Sequence, residues 1–135
     1  MRLVIALLAT LLPLPLAAQQ ILSAAPSAQA LEAAPVTLID IRQPQEWVQT
    51  GVLPNALLIS FNDPESFLRA IEPHMQPGRP VALICRSGNR TNRAAQLIAG
   101  ALPVPVIDIE GGMLRLLSQG YTPTPPRREA GCTIC

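Results

Sequence analysis

The segment Cys85-Arg86-Ser87-Gly88-Asn89-Arg90 carries the residue types in this chain best suited to chemistry. It follows the apolar run Val81–Ile84 and precedes a helix that the pattern predicts from near Thr91. A loop leaving a buried strand for a helix can curl so that successive backbone N–H groups point inward, and Gly88 supplies the dihedral freedom such a cradle needs. The helix start adds unsatisfied donors and a partial positive charge. A thiol at the base of that cradle is expected to ionise more readily than a free cysteine. Cys85 would then be a standing nucleophile with no histidine needed as its base. Arg86, Ser87, Gly88, Asn89, Arg90 and Thr91 would line the substrate side, the two guanidiniums offering fork-shaped donors to an anion. Arg93, one turn further, would extend that rim. The plainer alternatives are a cysteine buried as a small hydrophobe and arginines that are solvated charge on a helix end. The only histidine, His74, lies in the Pro-rich stretch Pro73–Pro80, which argues against Cys-His and Ser-His-Asp hydrolases.

Four apolar runs must position this loop: Val36–Ile41, Ala56–Phe61, Val81–Cys85 and Val104–Ile109. Each is short, aliphatic and bounded by Pro, Gly, Asp or Asn, as buried parallel strands are. Helical patterns alternate with them. Pro44 suits the first turn of a helix through Glu46, Trp47 and Val48 that Gly51 can end, and Asp63-Pro64 can start one with Phe67, Leu68 and Ile71 on a face. Ala94, Leu97, Ile98, Ala101 and Leu102 follow a helical stripe, and Leu114, Leu117 and Tyr121 end the series. The fold class is therefore α/β, with three layers (α/β/α) around a mostly parallel central sheet of four to five strands. Such sheets bind ligands at the carboxyl ends of their strands, where Cys85 sits. Residues 19–30 read as a leader, 31–123 as the domain, and 124–135 as a Pro-rich, solvated tail ending in C-x-x-C.

Composition narrows the partners. The chain has 135 residues and a formal net charge of +1, with no Lys, so no long-range field draws nucleic acid to it. Arg2 and the run Leu3–Ala18, apolar apart from Thr10 and closing on the small residues Ala17 and Ala18, have the layout of a secretory signal peptide over residues 1–18. A membrane anchor is the alternative, but the run falls short of the ~20 residues of a spanning helix, and Pro13 and Pro15 interrupt it. The expectation is a periplasmic or secreted protein with no stable membrane insertion after cleavage.

With these residues in place, the chain resembles the rhodanese family over about residues 31–123. Cys85–Arg90 resembles its active-site loop. Leu38-Ile39-Asp40-Ile41-Arg42 with Glu46-Trp47 resembles its first sheet strand and following helix. Gly51-Val52-Leu53-Pro54-Asn55-Ala56 resembles its Gly-His-Ile-Pro-Gly-Ala turn, with Val52 in place of His. Asp108-Ile109-Glu110-Gly111-Gly112 and Gly120-Tyr121 resemble its closing strand and helix, with Leu116 where Trp is frequent.

The resemblance implies sulfane-sulfur transfer through a Cys85 persulfide, from a small anionic donor such as thiosulfate to a thiol or protein acceptor. A carrier or redox-sensing module acting with a protein partner is the second reading. Related phosphatase and arsenate-reductase loops place five residues between Cys and Arg; here there are four, Arg86 to Asn89, which suits one extra sulfur better than a tetrahedral oxyanion. Asp40 could accept bonds from the loop or cap the turn before Pro44, Arg42 would support the loop, and an exposed Arg42–Glu46 pair is expected at i, i+4. No cofactor is implied. No metal is expected either, because Cys132 and Cys135 would need two more ligands for zinc. In an oxidising compartment that pair should form a disulfide, either incidental or redox-active toward the Cys85 persulfide.

Overall fold

The aliphatic runs form strands because each can be buried on both sides of one sheet. The structure, a computed structural model that describes residues 20–135, has five parallel strands in the order β1-β5-β4-β2-β3. They are β1 (Ile21–Ala24), β2 (Thr37–Asp40), β3 (Leu57–Leu58), β4 (Val81–Ile84) and β5 (Val106–Ile109). Register pairs Ile84 with Asp40 and Asp40 with Leu58, so the carboxyl ends of β4, β2 and β3 lie side by side. All four residues of β4 are buried, as befits the centre of a parallel sheet.

Five helices complete the layers: α1 (Ala28–Ala33), α2 (Pro44–Thr50), α3 (Pro64–Ile71), α4 (Asn89–Ile98) and α5 (Gly112–Ser118). Pro44 and Pro64 occupy first turns, and the Asp63 carboxylate accepts from the Ser66 amide at 2.9 Å to cap α3. One face of the sheet packs with Phe67, Ile71, Ala94, Ala95 and Ile98 of α3 and α4. The other packs with Ala28, Leu31, Met113 and Leu116 of α1 and α5. The three-layer α/β/α arrangement is the one expected.

Three expectations are corrected. The segment taken as a leader contains the edge strand β1, which pairs with β5 in register Ile21↔Val106 to Ala24↔Ile109, and the start of α1. The tail is exposed along most of its length but is docked at two points: Thr124 bridges Val52, and Cys132 is 3% exposed among Trp47, Val52 and Leu58. A Cβ on Gly131 would run into the Leu58 carbonyl, so chain and sheet edge touch there. The helical stripes also rotate. Leu97 and Leu114 face outward, while Thr91, Ala95, Met113 and Leu116 are buried in α4 and α5. The expected signal peptide lies outside the described residues.

Candidate active site

Cys85 follows the last residue of β4 and is fully buried. Gly88, at φ +97°, turns the chain into α4 with a left-handed conformation that an L side chain rarely adopts. The turn directs the Gly88 amide at Cys85 Sγ, 3.1 Å away. The Thr91 hydroxyl sits 3.7 Å from the same sulfur and donates to the Gly88 carbonyl at 2.9 Å. Thr91 thus ties the sulfur and the Gly88 turn together from the first turn of α4.

The loop is held from behind. The Cys85 and Arg86 carbonyls accept from the amides of Met113 (2.9 Å) and Leu114 (3.0 Å) in the first turn of α5. Those carbonyls are thus fixed on the α5 side, while the Gly88 amide points to the sulfur. The approach is close enough to demand glycine: a Cβ on Gly112, at φ +53°, would stand 2.7 Å from the Arg86 carbonyl oxygen. The Asp-Ile-Glu-Gly-Gly pattern singled out in the sequence is therefore a backbone clamp on the Cys85–Arg90 loop.

Arg90 is not free. Its guanidinium forms a two-pronged pair with Glu46 of α2, Nη1 to Oε2 at 2.8 Å and Nη2 to Oε1 at 2.6 Å. Those bonds hold the Glu46 carboxyl down from 4.5 to about 2, with a further contribution from the Gln43 amide, while partial burial opposes them. Reciprocally, Glu46 raises the Arg90 pKa. The expected Arg42–Glu46 ion pair does not form. Arg42 is 1% exposed and pairs instead with buried Asp40, Nε to Oδ1 at 2.9 Å and Nη2 to Oδ2 at 2.7 Å. Its remaining donors reach Thr50 Oγ1 at 2.6 Å and the Gly51 carbonyl at 2.8 Å, tying the end of β2 to the end of α2. Asp40 takes its bonds from the Arg42 amide and guanidinium and not from the Cys85 loop; the bond from the Arg42 amide to Oδ1, at 3.1 Å, caps the turn before Pro44, the second of the two roles expected of it. Together, Asp40 and Arg42 anchor the helix that presents Glu46 to Arg90.

Arg86 is exposed and has no ion pair among the described residues. It borders a cleft of about 120 Å³ lined also by Arg42, Glu46, Met113, Leu114 and Leu117. Ser87, Asn89 and Arg93 face solvent, and the exposed His74 lies in a short 3₁₀ turn, Glu72–His74, that precedes β4. Sequence reasoning missed Glu46 as the partner of Arg90, although Glu46-Trp47 belonged to the resemblance. It also missed the α5 amides, which no side-chain pattern marks. Cys132 and Cys135 are joined in a disulfide.

The family model described as "Rhodanese-like domain" matches residues 23–119, beginning within β1. Among solved structures, a rhodanese-related protein from Thermoplasma volcanium is 25% identical, with TM-score 0.54, covering 72% of this chain and 93% of that one. A rhodanese-like domain protein from Staphylococcus aureus is 20% identical, with TM-score 0.52 and coverage of 72% and 90%. A protein of unknown function from Rhodopseudomonas palustris CGA009, described as a possible tyrosine phosphatase, is 24% identical, with TM-score 0.54 and coverage of 75% and 81%. No curated protein matches. Joined to a Cys-to-Arg loop at the end of the central parallel strand, the family match places this chain in the rhodanese-like domain family, which is related to the sulfurtransferases.

Proposed function

We propose that the protein is a sulfurtransferase of the thiosulfate type, working outside the cytoplasm after removal of residues 1–18. The observation that carries this reading is the Gly88 amide 3.1 Å from Cys85 Sγ, inside a loop with four residues between Cys85 and Arg90. The Cys85 thiolate attacks the outer sulfur of thiosulfate. A new S–S bond forms, the old one breaks, and sulfite leaves with its electron pair. The Gly88 amide beside Cys85 Sγ would stabilise negative charge on the persulfide, as a donor of a preorganised oxyanion hole does. A thiol or cyanide acceptor then takes that sulfur and returns Cys85 as thiolate. With Arg90 neutralised by Glu46, Arg86 is left as the cation that steers the anionic donor.

A second reading, a persulfide carrier that delivers to a protein partner and turns over slowly in solution, is favoured by the full burial of Cys85. Intact mass after incubation with thiosulfate, for wild type and Cys85→Ser, tests both. One added sulfur in wild type alone, with thiocyanate formed from cyanide, supports the transferase. Added sulfur without thiocyanate supports the carrier, and no added sulfur sinks both. Turnover of an aryl phosphate in place of sulfur loading would instead favour the phosphatase chemistry suggested for the Rhodopseudomonas protein. Export is tested by sequencing the amino terminus of the protein recovered outside the cytoplasm. A terminus at Met1 contradicts it.

A further inference from the structure

The disulfide in the tail has a setting that a loose tail would not provide. Cys132 is buried against Trp47, Val52 and Leu58, whereas Cys135 keeps part of its surface in water. The two sulfurs are therefore unequal toward an incoming thiolate. Attack proceeds along the S–S axis at the sulfur that solvent reaches, so Cys135 is the entry and Cys132 the leaving group. The cluster that seats Cys132 also contains Trp47 Nε1, a buried N–H with no acceptor. Such a donor is costly to leave unpaired, and Cys132, as it leaves as thiolate and before it takes up a proton, places in the same cluster a stronger acceptor than the disulfide sulfur. Trp47 is flanked in α2 by Glu46, whose carboxylate holds Arg90 of the nucleophile loop. The tail reaches α2 a second time, through the pairing of Thr124 with Val52 and the approach of Pro123 to Gly51.

We infer that Cys132–Cys135 is a thiol-exchange site, entered at Cys135 by an external dithiol, whose opening at Trp47 is transmitted through α2 to the Glu46–Arg90 pair. The reaction balances without further reactants. One thiolate of the dithiol bonds to Cys135 sulfur, the Cys132–Cys135 bond breaks, and Cys132 leaves with the electron pair and takes up a proton. The second thiol of the dithiol then displaces Cys135, which also takes up a proton, and the dithiol departs as its own disulfide. The tail gains two electrons and two protons. The inference does not depend on sulfur transfer, since free Cys85 takes no part in the exchange.

The test uses the full chain in its oxidised form, with reduced glutathione as a monothiol probe and dithiothreitol as a dithiol probe. Glutathione should leave a mixed disulfide that peptide mapping finds on Cys135 and not on Cys132. Dithiothreitol should expose two new thiols, change the emission of Trp47 (the only tryptophan) in step with them, and alter the alkylation rate of Cys85 several-fold. Cys135→Ser removes the exchange, so its Trp47 emission should ignore dithiothreitol, and circular dichroism confirms that the variant is folded. Adducts spread equally over both sulfurs, an unchanged Trp47 emission on reduction, or an unchanged Cys85 alkylation rate would each overturn the inference. Loss of thiosulfate turnover with these three results intact would count only against the proposed enzyme activity.

Discussion

Replacing Glu46 with Gln keeps the side chain's size and removes the charge that Arg90 holds. The drop of the Glu46 carboxyl from 4.5 to about 2 would be worth roughly 3 kcal/mol if taken whole. Arg90 is 43% exposed and Glu46 24%, however, so water and salt screen the pair, and about 1 kcal/mol is the expected loss at neutral pH. The sign follows from the direction of the shift. A carboxyl whose folded value is depressed stabilises the fold at pH above its unfolded value, and that stabilisation fades as pH falls from about 4.5 toward about 2. Urea unfolding of wild type and Glu46→Gln between pH 7 and pH 3 should therefore give curves separated by about 1 kcal/mol at pH 6–7 that converge toward pH 3. High salt should narrow the gap at pH 7. A separation that stays constant down to pH 3, or one above 3 kcal/mol that ignores salt, would refute the assignment of the shift to an exposed pair with Arg90.

The buried Asp40–Arg42 pair should behave differently. Asp40→Ala leaves a guanidinium stranded in the core and should cost about 3–5 kcal/mol in urea unfolding, while Asp40→Leu with Arg42→Met should recover most of that. Gly112→Ala places a methyl group against the Arg86 carbonyl at a left-handed φ. It should lower stability by about 1–3 kcal/mol and reduce sulfur loading of Cys85, read by intact mass. In α4, Ile98→Ala should cost about 2–5 kcal/mol by thermal or urea unfolding, whereas Leu97→Ala, at an exposed position, should stay within about 0.5 kcal/mol.

Much of the candidate site was legible because its signals are local. Short aliphatic runs that follow a proline within a residue or two identify β2, β4 and β5, and Pro44 and Asp63-Pro64 mark the starts of two helices. The chemistry of Cys85 and the turn at Gly88 lie within six consecutive residues, so nothing distant was needed to find them. β1 escaped notice because an edge strand with Ile21 and Leu22 exposed carries no burial pattern, and only its register with β5 identifies it. The outward turn of Leu97 and Leu114 escaped for the complementary reason: a periodic stripe gives a helix a face, but the sheet it docks on selects which residues are used.

The sequence alone determined that a cysteine would stand at a strand end, before a helix, in a loop of rhodanese length. Tertiary structure decided which charges act there. Arg90 is spoken for by a glutamate 44 residues earlier, Arg42 is buried with Asp40, and the tail disulfide lies on Trp47. Ion pairs and seats of this kind depend on which remote surfaces meet when the layers close, and electrostatic strength depends on burial, neither of which is encoded in local spacing.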